Sequence, residues 1–120
     1  MTIRQAIERV DEIKPNAFSD KTKVEWLSAL EGRLAADVFL MAVAEIRLLE
    51  YKHPDDMDTE LLVKYPHDDI YTYWLQARID EANGEYNKFM NTAELYNEAY
   101  GNFVRWFGQT YDPAQGYVAP

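Results

Sequence analysis

The sequence predicts an all-α fold, a small helical bundle that ends in one long C-terminal amphipathic helix. The main observation is a run of apolar and aromatic residues in an unbroken 4,3,4,3 spacing, because this spacing keeps side chains on one face of an α-helix. The opposite face of the same segment is charged or amide-bearing, which is typical of an amphipathic helix. The ten residues of this stripe are Leu75, Ile79, Ala82, Tyr86, Phe89, Ala93, Tyr96, Tyr100, Phe103 and Phe107.

The first two helices are marked by local start and stop signals. Thr2 followed by Gln5 has the form of a capping box, and Pro15 prevents continuation, so a first helix is predicted over residues 3–13. Ser19 or Asp20 can cap a second helix with apolar residues at helical spacing up to residue 41. A glycine inside this second helix, at position 32, favours a tight helix crossing, although a kink also fits.

The segment between the second and third helices is ambiguous. The apolar residues of 42–51 could extend the second helix or form a short buried strand, and we favour a helix end followed by extended chain. The run 61–63 has the length of a strand, and a polar loop with Pro54 separates the two runs. A short β-hairpin in the 46–63 connection is therefore possible.

The third helix is predicted over about residues 67–109, beginning just after Pro66. Asn83-Gly84 is the one plausible break, but the 4,3 phase continues through it, and we therefore predict a single continuous helix. At about 1.5 Å per residue this helix would be roughly 60 Å long, so its end should project or contact another subunit. The interface candidates on this end and just beyond it are Tyr96, Tyr100, Phe103, Trp106, Phe107 and Tyr111.

Length and composition predict one domain over residues 1–111 and a flexible C-terminal tail over residues 112–120, which has two prolines and no period. The chain has no cysteine, which excludes disulfides, thiolate zinc sites and cysteine nucleophiles. A net charge of -9 opposes non-specific attraction to DNA or anionic lipid. The start does not have the pattern of a signal peptide and the longest apolar run is charged, so we expect a soluble intracellular protein without membrane contact.

Candidate sites for chemistry are weak in this sequence. The loop with His53, Asp55, Asp56 and Asp58 lacks the spacing of a calcium loop, and the carboxylates beside His67 suit a helix N-terminus. No nucleophile motif, P-loop or dinucleotide fingerprint is present. Ser19 and Ser28 could be nucleophiles, but their positions are more typical of a helix cap or a helix surface. Glu94 and Glu98 could be magnesium ligands, but they are more typical of surface charge. We therefore predict no catalytic residue, no metal and no cofactor.

Several motifs stand out when the chain is read as a whole. The longest are Trp26-Leu27-Ser28-Ala29-Leu30-Glu31-Gly32-Arg33, Asp58-Thr59-Glu60-Leu61-Leu62-Val63, Pro66-His67-Asp68-Asp69-Ile70-Tyr71 and Ala82-Asn83-Gly84-Glu85. With these motifs the chain resembles a family of small helical head–tail connector, or head-completion adaptor, proteins of tailed phages and prophages of Gram-positive bacteria. The resemblance extends over nearly all of the chain before Asp112, and it departs at His67, where the family has Tyr, and at Phe89-Met90, where it tends to have Tyr-Asn.

The resemblance implies a structural virion protein without an active site. Its subunits would form a homo-oligomeric ring under the portal protein, extend the DNA channel and receive the next connector or tail protein, with DNA passing through unbound. The implied location is the virion neck, and the host cytoplasm before assembly. Two alternatives remain: a small acidic helical adaptor or inhibitor that binds a host protein as a DNA mimic, and a magnesium-dependent nucleotide pyrophosphohydrolase.

Overall fold

The computed structural model describes residues 1–112 and 116–117, with backbone alone from residue 110 onward. The all-α prediction is confirmed, since helices form the body of the described chain. The predicted flexibility of the tail falls largely on residues outside this description. The elements in chain order are α1 (Ile3–Ile13), α2 (Asp20–Asp37), α3 (Val43–Arg47), α4 (Asp69–Ala82), α5 (Tyr86–Thr110), and an antiparallel pair of two-residue strands, β1 (Tyr111–Asp112) and β2 (Gly116–Tyr117).

The predicted starts of α1 and α2 are confirmed. Thr2 Oγ1 accepts from the Gln5 amide at 3.1 Å, and Gln5 Oε1 accepts from the Thr2 amide at 2.9 Å, so the capping box is closed in both directions. Ser19 Oγ accepts from the Thr22 amide at 3.2 Å and caps α2. The tight crossing expected at Gly32 is wrong, because a Cβ built on this residue would meet nothing within 4 Å.

The possible hairpin in the 46–63 connection does not form. Its first run contains α3, and its second run pairs with the N-terminus of the chain. The Ile3 amide donates to the Thr59 carbonyl at 3.1 Å, and the Leu61 amide donates to the Met1 carbonyl at 3.0 Å. Backbone groups at the start of the chain thus form hydrogen bonds with this segment. The segment does not need a hairpin partner for these bonds.

The prediction of one continuous helix over 67–109 is wrong, because the helix ends at Asn83-Gly84 and reverses. Gly84 has φ +70°, the left-handed conformation common just after a helix C-terminus. The Glu85 amide donates to the Asp80 carbonyl at 3.0 Å, and the Gly84 amide donates to the Glu81 carbonyl at 3.1 Å. These two bonds are the Schellman pattern, and they make α4 and α5 an antiparallel helical hairpin. The expected projecting helix of roughly 60 Å is therefore absent.

Substituting alanine for Gly84 is expected to destabilise the protein by about 1–2 kcal/mol, because a Cβ is unfavourable in the left-handed region. The matched control is Gly101→Ala, inside α5, where an added Cβ meets nothing within 4 Å. This control should stabilise by about 0.5–1 kcal/mol through helix propensity. Urea unfolding of both variants measures the difference. Equal stabilisation by the two substitutions would contradict the turn.

The core lies between α1, α2, the α4–α5 hairpin and the segment that joins α3 to α4. Helices α1, α2, α4 and α5 contribute buried side chains, α3 contributes none, and the connecting segment adds Met57, Leu61 and Val63. Lys14, just after α1, pairs through Nζ with the buried carboxylate of Asp80 on α4, at 2.5 Å and 2.7 Å. The large apolar side chains that are almost completely buried are Ile3, Ile7, Leu27, Leu30, Leu34, Leu61, Ile70, Leu75, Ile79 and Phe103.

Candidate functional site

The predicted interface residues on α5 are divided by the structure into buried and half-buried ones. Phe103 is 0% exposed and Phe107 is 7% exposed, and both rings contact Phe39, with ring centroids 6.0 Å and 4.9 Å apart. These two side chains form part of the chain's own core, so they do not offer an exposed docking surface. The expectation that they project is wrong, because the reversal at Gly84 returns α5 onto α4 and the bundle.

The remaining interface candidates lie at the edge of the core. Tyr96 packs on the ring of Trp74, with centroids 5.1 Å apart, and Trp106 packs on the ring of His67 at 4.8 Å. Tyr100 stacks on Tyr96, with centroids 6.1 Å apart. All three are half-buried, and the side chain of Tyr111 lies outside the described part. Contact of these residues with another protein stays a prediction.

A buried carboxyl group that sequence reasoning missed lies between α2, α4 and the segment that joins α3 to α4. Glu31, on α2, is 0% exposed and accepts hydrogen bonds from the hydroxyls of Tyr51 and Tyr71 and from the Leu62 amide. The Tyr51 hydroxyl lies at 2.9 Å and the Leu62 amide at 3.0 Å. In addition, the Tyr71 hydroxyl accepts from the Val63 amide at 2.8 Å. We call these five residues the Glu31 hub; it fastens the irregular segment after α3 to α2 and α4.

The hub shifts the protonation of its members. Burial raises the pKa of Glu31, and the hydrogen bonds from Tyr71, Leu62 and Tyr51 act in the opposite direction. Burial, and after it the charge of Glu31, raises the pKa of Tyr71 well above the usual value of 10.0. The same two causes raise the pKa of Tyr51. Burial makes the charged forms of Glu31, Tyr51 and Tyr71 unfavourable because water does not solvate them.

The raised tyrosine pKa values predict that stability falls at alkaline pH. Above the ordinary value of 10.0 the unfolded chain loses phenol protons that the folded chain retains, so the folded state binds more protons and stability declines as pH rises. Urea unfolding from about pH 8 to about pH 11 should show this decline. Tyr71→Phe removes one of the shifted groups and should give a shallower slope. An equal slope in both proteins would contradict this account.

A second buried carboxylate, that of Asp80, joins the two arms of the helical hairpin near their turn and also binds Lys14. Asp80 is 1% exposed, pairs with Lys14 and accepts from the Thr92 hydroxyl at 3.0 Å. Lys14 follows α1 and Thr92 lies on α5, so Asp80 connects α4 to both of these parts of the chain. Because the charge is paired and hydrogen-bonded, it fits a structural role.

An open groove of about 590 Å³ lies between α2 and the segment 46–52 and is called here the α3 groove. Ala29 and Gly32 line it from α2, and Ile46 and Leu49 line it from the other side. Charged side chains of Glu25, Arg47, Glu50 and Lys52 also line it. Just outside it, Val43 is 68% exposed and Leu48 is 79% exposed; we call this pair the α3 face.

The segment that carries these apolar side chains is fixed to α2. Ser28 Oγ donates to the Leu49 carbonyl at 2.6 Å and accepts from the Tyr51 amide at 3.0 Å. Ser28, considered above as a nucleophile, thus binds the backbone on both sides of residue 50. Ser19, the other serine considered as a nucleophile, caps α2.

The remaining candidates for chemistry are not brought together into a metal site. Among the described residues no group of three or more His, Asp or Glu side chains could hold a metal ion. His53 and Asp55 are exposed in the loop after α3, and the ring of His67 packs between Trp106 and Phe103. Glu98 lines a shallow cavity of about 150 Å³ with Asp69.

No helix in the described part of the chain is both long enough and apolar enough to cross a membrane.

Comparisons with known proteins add no family to these observations. No protein family, curated protein or solved structure matches the chain, so any functional assignment depends on its own residues and their arrangement.

Proposed function

We propose that this protein is a structural subunit of the head–tail connector of a tailed phage or prophage. It assembles as a ring with other copies of itself beneath the portal protein and receives the next connector or tail protein. The observation that carries this proposal is the α3 face beside the α3 groove, a pair of large apolar side chains displayed on a segment that the bundle holds in place. The sequence resemblance to connector proteins agrees with it.

The chemistry of this surface suits protein–protein contact. An apolar floor with a charged rim has the anatomy of a protein interface, and Leu48 and Val43 can insert into a neighbouring subunit or the portal. The bonds of Ser28 to Leu49 and Tyr51 keep the segment fixed before binding. Because little conformational freedom is then lost on association, a larger part of the contact energy contributes to binding.

The net negative charge suits a ring through which DNA passes without specific binding. The net charge of -9 gives little counterion release with a duplex, which is the main source of non-specific affinity. The subunit would act in the virion neck and reside in the host cytoplasm before assembly.

The two alternative functions receive less support. A DNA mimic requires unpaired carboxylates in rows, but several exposed carboxylates here pair with cations, among them Asp58 with Arg4 and Glu85 with Lys88. A nucleotide pyrophosphohydrolase requires two facing acidic pairs. Glu98 has one carboxylate neighbour across its cavity, Asp69, whose pKa burial raises.

The test is binding to the purified portal protein encoded in the same genome. Wild-type protein should form a ring on the portal, seen as a mass increase in light scattering and as added density by electron microscopy. Leu48→Glu should weaken this binding about tenfold or more, the equivalent of about 1.4 kcal/mol. Met90→Glu, at a 59% exposed site on α5, is the matched control and should bind normally.

Each outcome separates the parts of the proposal. Failure of the wild-type protein to bind the portal would reject the connector assignment. Equal binding by Leu48→Glu and wild type would keep the assignment and reject the α3 face as its contact. Both variants should melt near the wild-type temperature, because neither side chain lies in the core.

A further inference from the structure

The turn that reverses the chain between α4 and α5 contains a chemically labile pair of residues. An asparagine loses its side-chain amide when the backbone nitrogen of the next residue attacks the amide carbon. Glycine permits this attack best, because it has no side chain to obstruct the close approach. Of the six asparagines in the chain, only Asn83 precedes a glycine. Both Asn83 and Gly84 are exposed, so water and hydroxide reach them.

The native turn holds the reacting atoms apart. Asn83 has ψ −5°, which directs the Gly84 nitrogen towards the Asn83 backbone nitrogen and away from the Asn83 side chain. The Gly84 N–H also donates to the Glu81 carbonyl at 3.1 Å. The Glu85 N–H donates to the Asp80 carbonyl at 3.0 Å and helps to keep the turn closed. The attack therefore requires that the turn open first, with rotation of ψ and loss of the hydrogen bond from Gly84.

We propose that Asn83 is a site of spontaneous deamidation and that opening of the Schellman turn sets its rate. In the open turn the Gly84 nitrogen loses its proton to hydroxide and attacks Cγ of Asn83. The new C–N bond closes a succinimide ring, the Cγ–Nδ2 bond breaks, and ammonia leaves with a proton from water. Water then opens the ring at one of its two carbonyls, which gives aspartate or isoaspartate. The reaction consumes only water, and local opening of a turn costs less free energy than global unfolding.

The product of this reaction destabilises the turn. Glu81 and Glu85 already place carboxylates there, beside a cavity of about 170 Å³, so a further negative charge is repelled. The new charge also lies at the C-terminus of α4, which is the negative end of the helix dipole. Isoaspartate adds one carbon to the backbone before Gly84, so the two Schellman hydrogen bonds lose their register. The hairpin that brings Phe103 into the core is thereby weakened.

Peptide mapping by mass spectrometry measures the reaction, because replacing the side-chain NH₂ by OH changes the mass of the peptide. The protein is incubated at neutral pH, either folded in buffer or unfolded in guanidinium chloride. In the folded protein Asn83 should react before the other five asparagines. Unfolding should accelerate the deamidation of Asn83 at least about tenfold, because the turn no longer has to open.

Two substitutions of Glu85 test the role of the turn while keeping Asn83-Gly84 intact. Glu85→Pro removes the N–H that donates to Asp80. Glu85→Ala, the matched control, keeps this N–H, and both variants lose the ion pair with Lys88. In buffer Glu85→Pro should deamidate several times faster than Glu85→Ala, which should react at the wild-type rate. In guanidinium chloride all three proteins should react at equal rates.

The proposal is overturned if the two Glu85 variants deamidate at equal rates in buffer, or if folded and unfolded wild type do so. Absence of deamidation at Asn83 in the folded protein over several weeks would also overturn it. A separate measurement tests the effect of the new charge: Asn83→Asp should melt at a lower temperature than the uncharged Asn83→Gln, and equal melting would contradict the expected weakening. No portal protein is used, so this proposal and the connector assignment can fail separately.

Discussion

Replacing Phe103 by alanine is expected to lower the free energy of unfolding by about 3–5 kcal/mol, the usual cost of removing a buried phenylalanine. Phe103 is 0% exposed, and its ring lies among those of Phe39, Phe107 and His67. Those neighbours come from the end of α2, from α5 and from the chain before α4. The cavity would therefore open where three parts of the fold meet, and small movements of one helix cannot close it.

Urea unfolding followed by circular dichroism measures this loss. The matched control is Leu95→Ala, on the same helix but 42% exposed, which should cost much less. A loss of several kcal/mol is a large part of the roughly 5–15 kcal/mol that stabilises a domain of this size. Similar small losses from both substitutions would show that α5 does not close the core as described.

Removing the carboxyl group of Glu31 is expected to have an effect of similar size. In Glu31→Ala the Tyr51 hydroxyl and the Leu62 amide lose their acceptor, as does the Tyr71 hydroxyl, and each unsatisfied buried donor costs about 1–3 kcal/mol. The expected loss is roughly 3 kcal/mol or more. Because the hub fastens the segment after α3, this segment should also become more accessible to proteases.

The control for the hub is Glu31→Gln, whose amide oxygen can still accept from two of the three donors. This variant should lose less stability than Glu31→Ala. Since burial raises the pKa of Glu31, the folded state favours its proton, and the carboxyl contributes less stability as pH rises above its ordinary value of 4.5. Both variants lack the titrating carboxyl and hence this decline, so the difference in stability between the glutamine and alanine variants should not change from about pH 4.5 to neutral pH. Equal losses from both variants would contradict the role of hydrogen bonding in the hub.

The left-handed conformation of Gly84 shows why the prediction of one continuous helix was wrong. The apolar spacing continues through Asn83-Gly84, but the residues before the turn and those after it face the same core from opposite directions. Phase alone does not distinguish a continuous helix from a hairpin whose two arms bury the same seam. The turn residues carried the better signal, since Asn-Gly at a helix C-terminus fits the left-handed position that the Schellman motif requires.

The candidate site was predictable in part. The aromatic residues of α5 were identified as contact-forming, but the pattern does not state whether the contact is with the chain itself or with a neighbour. Phe103 and Phe107 pack inside the chain. The α3 face was not identified, because Val43 and Leu48 lie in a segment whose pattern fits both helix and strand.

The sequence by itself determined the helical class and the starts of α1 and α2, because a cap joins residues three positions apart: Thr2 to Gln5 and Ser19 to Thr22. Only the tertiary structure decided the Glu31 hub and the pairing of Lys14 with Asp80. The hydrogen bonds to the two carboxylates join residues 20 to 66 positions apart, and no local pattern records which distant donor meets a given carboxylate. Their partners become neighbours only when the helices pack, since burial of the apolar faces brings the polar groups together and makes their hydrogen bonds obligatory.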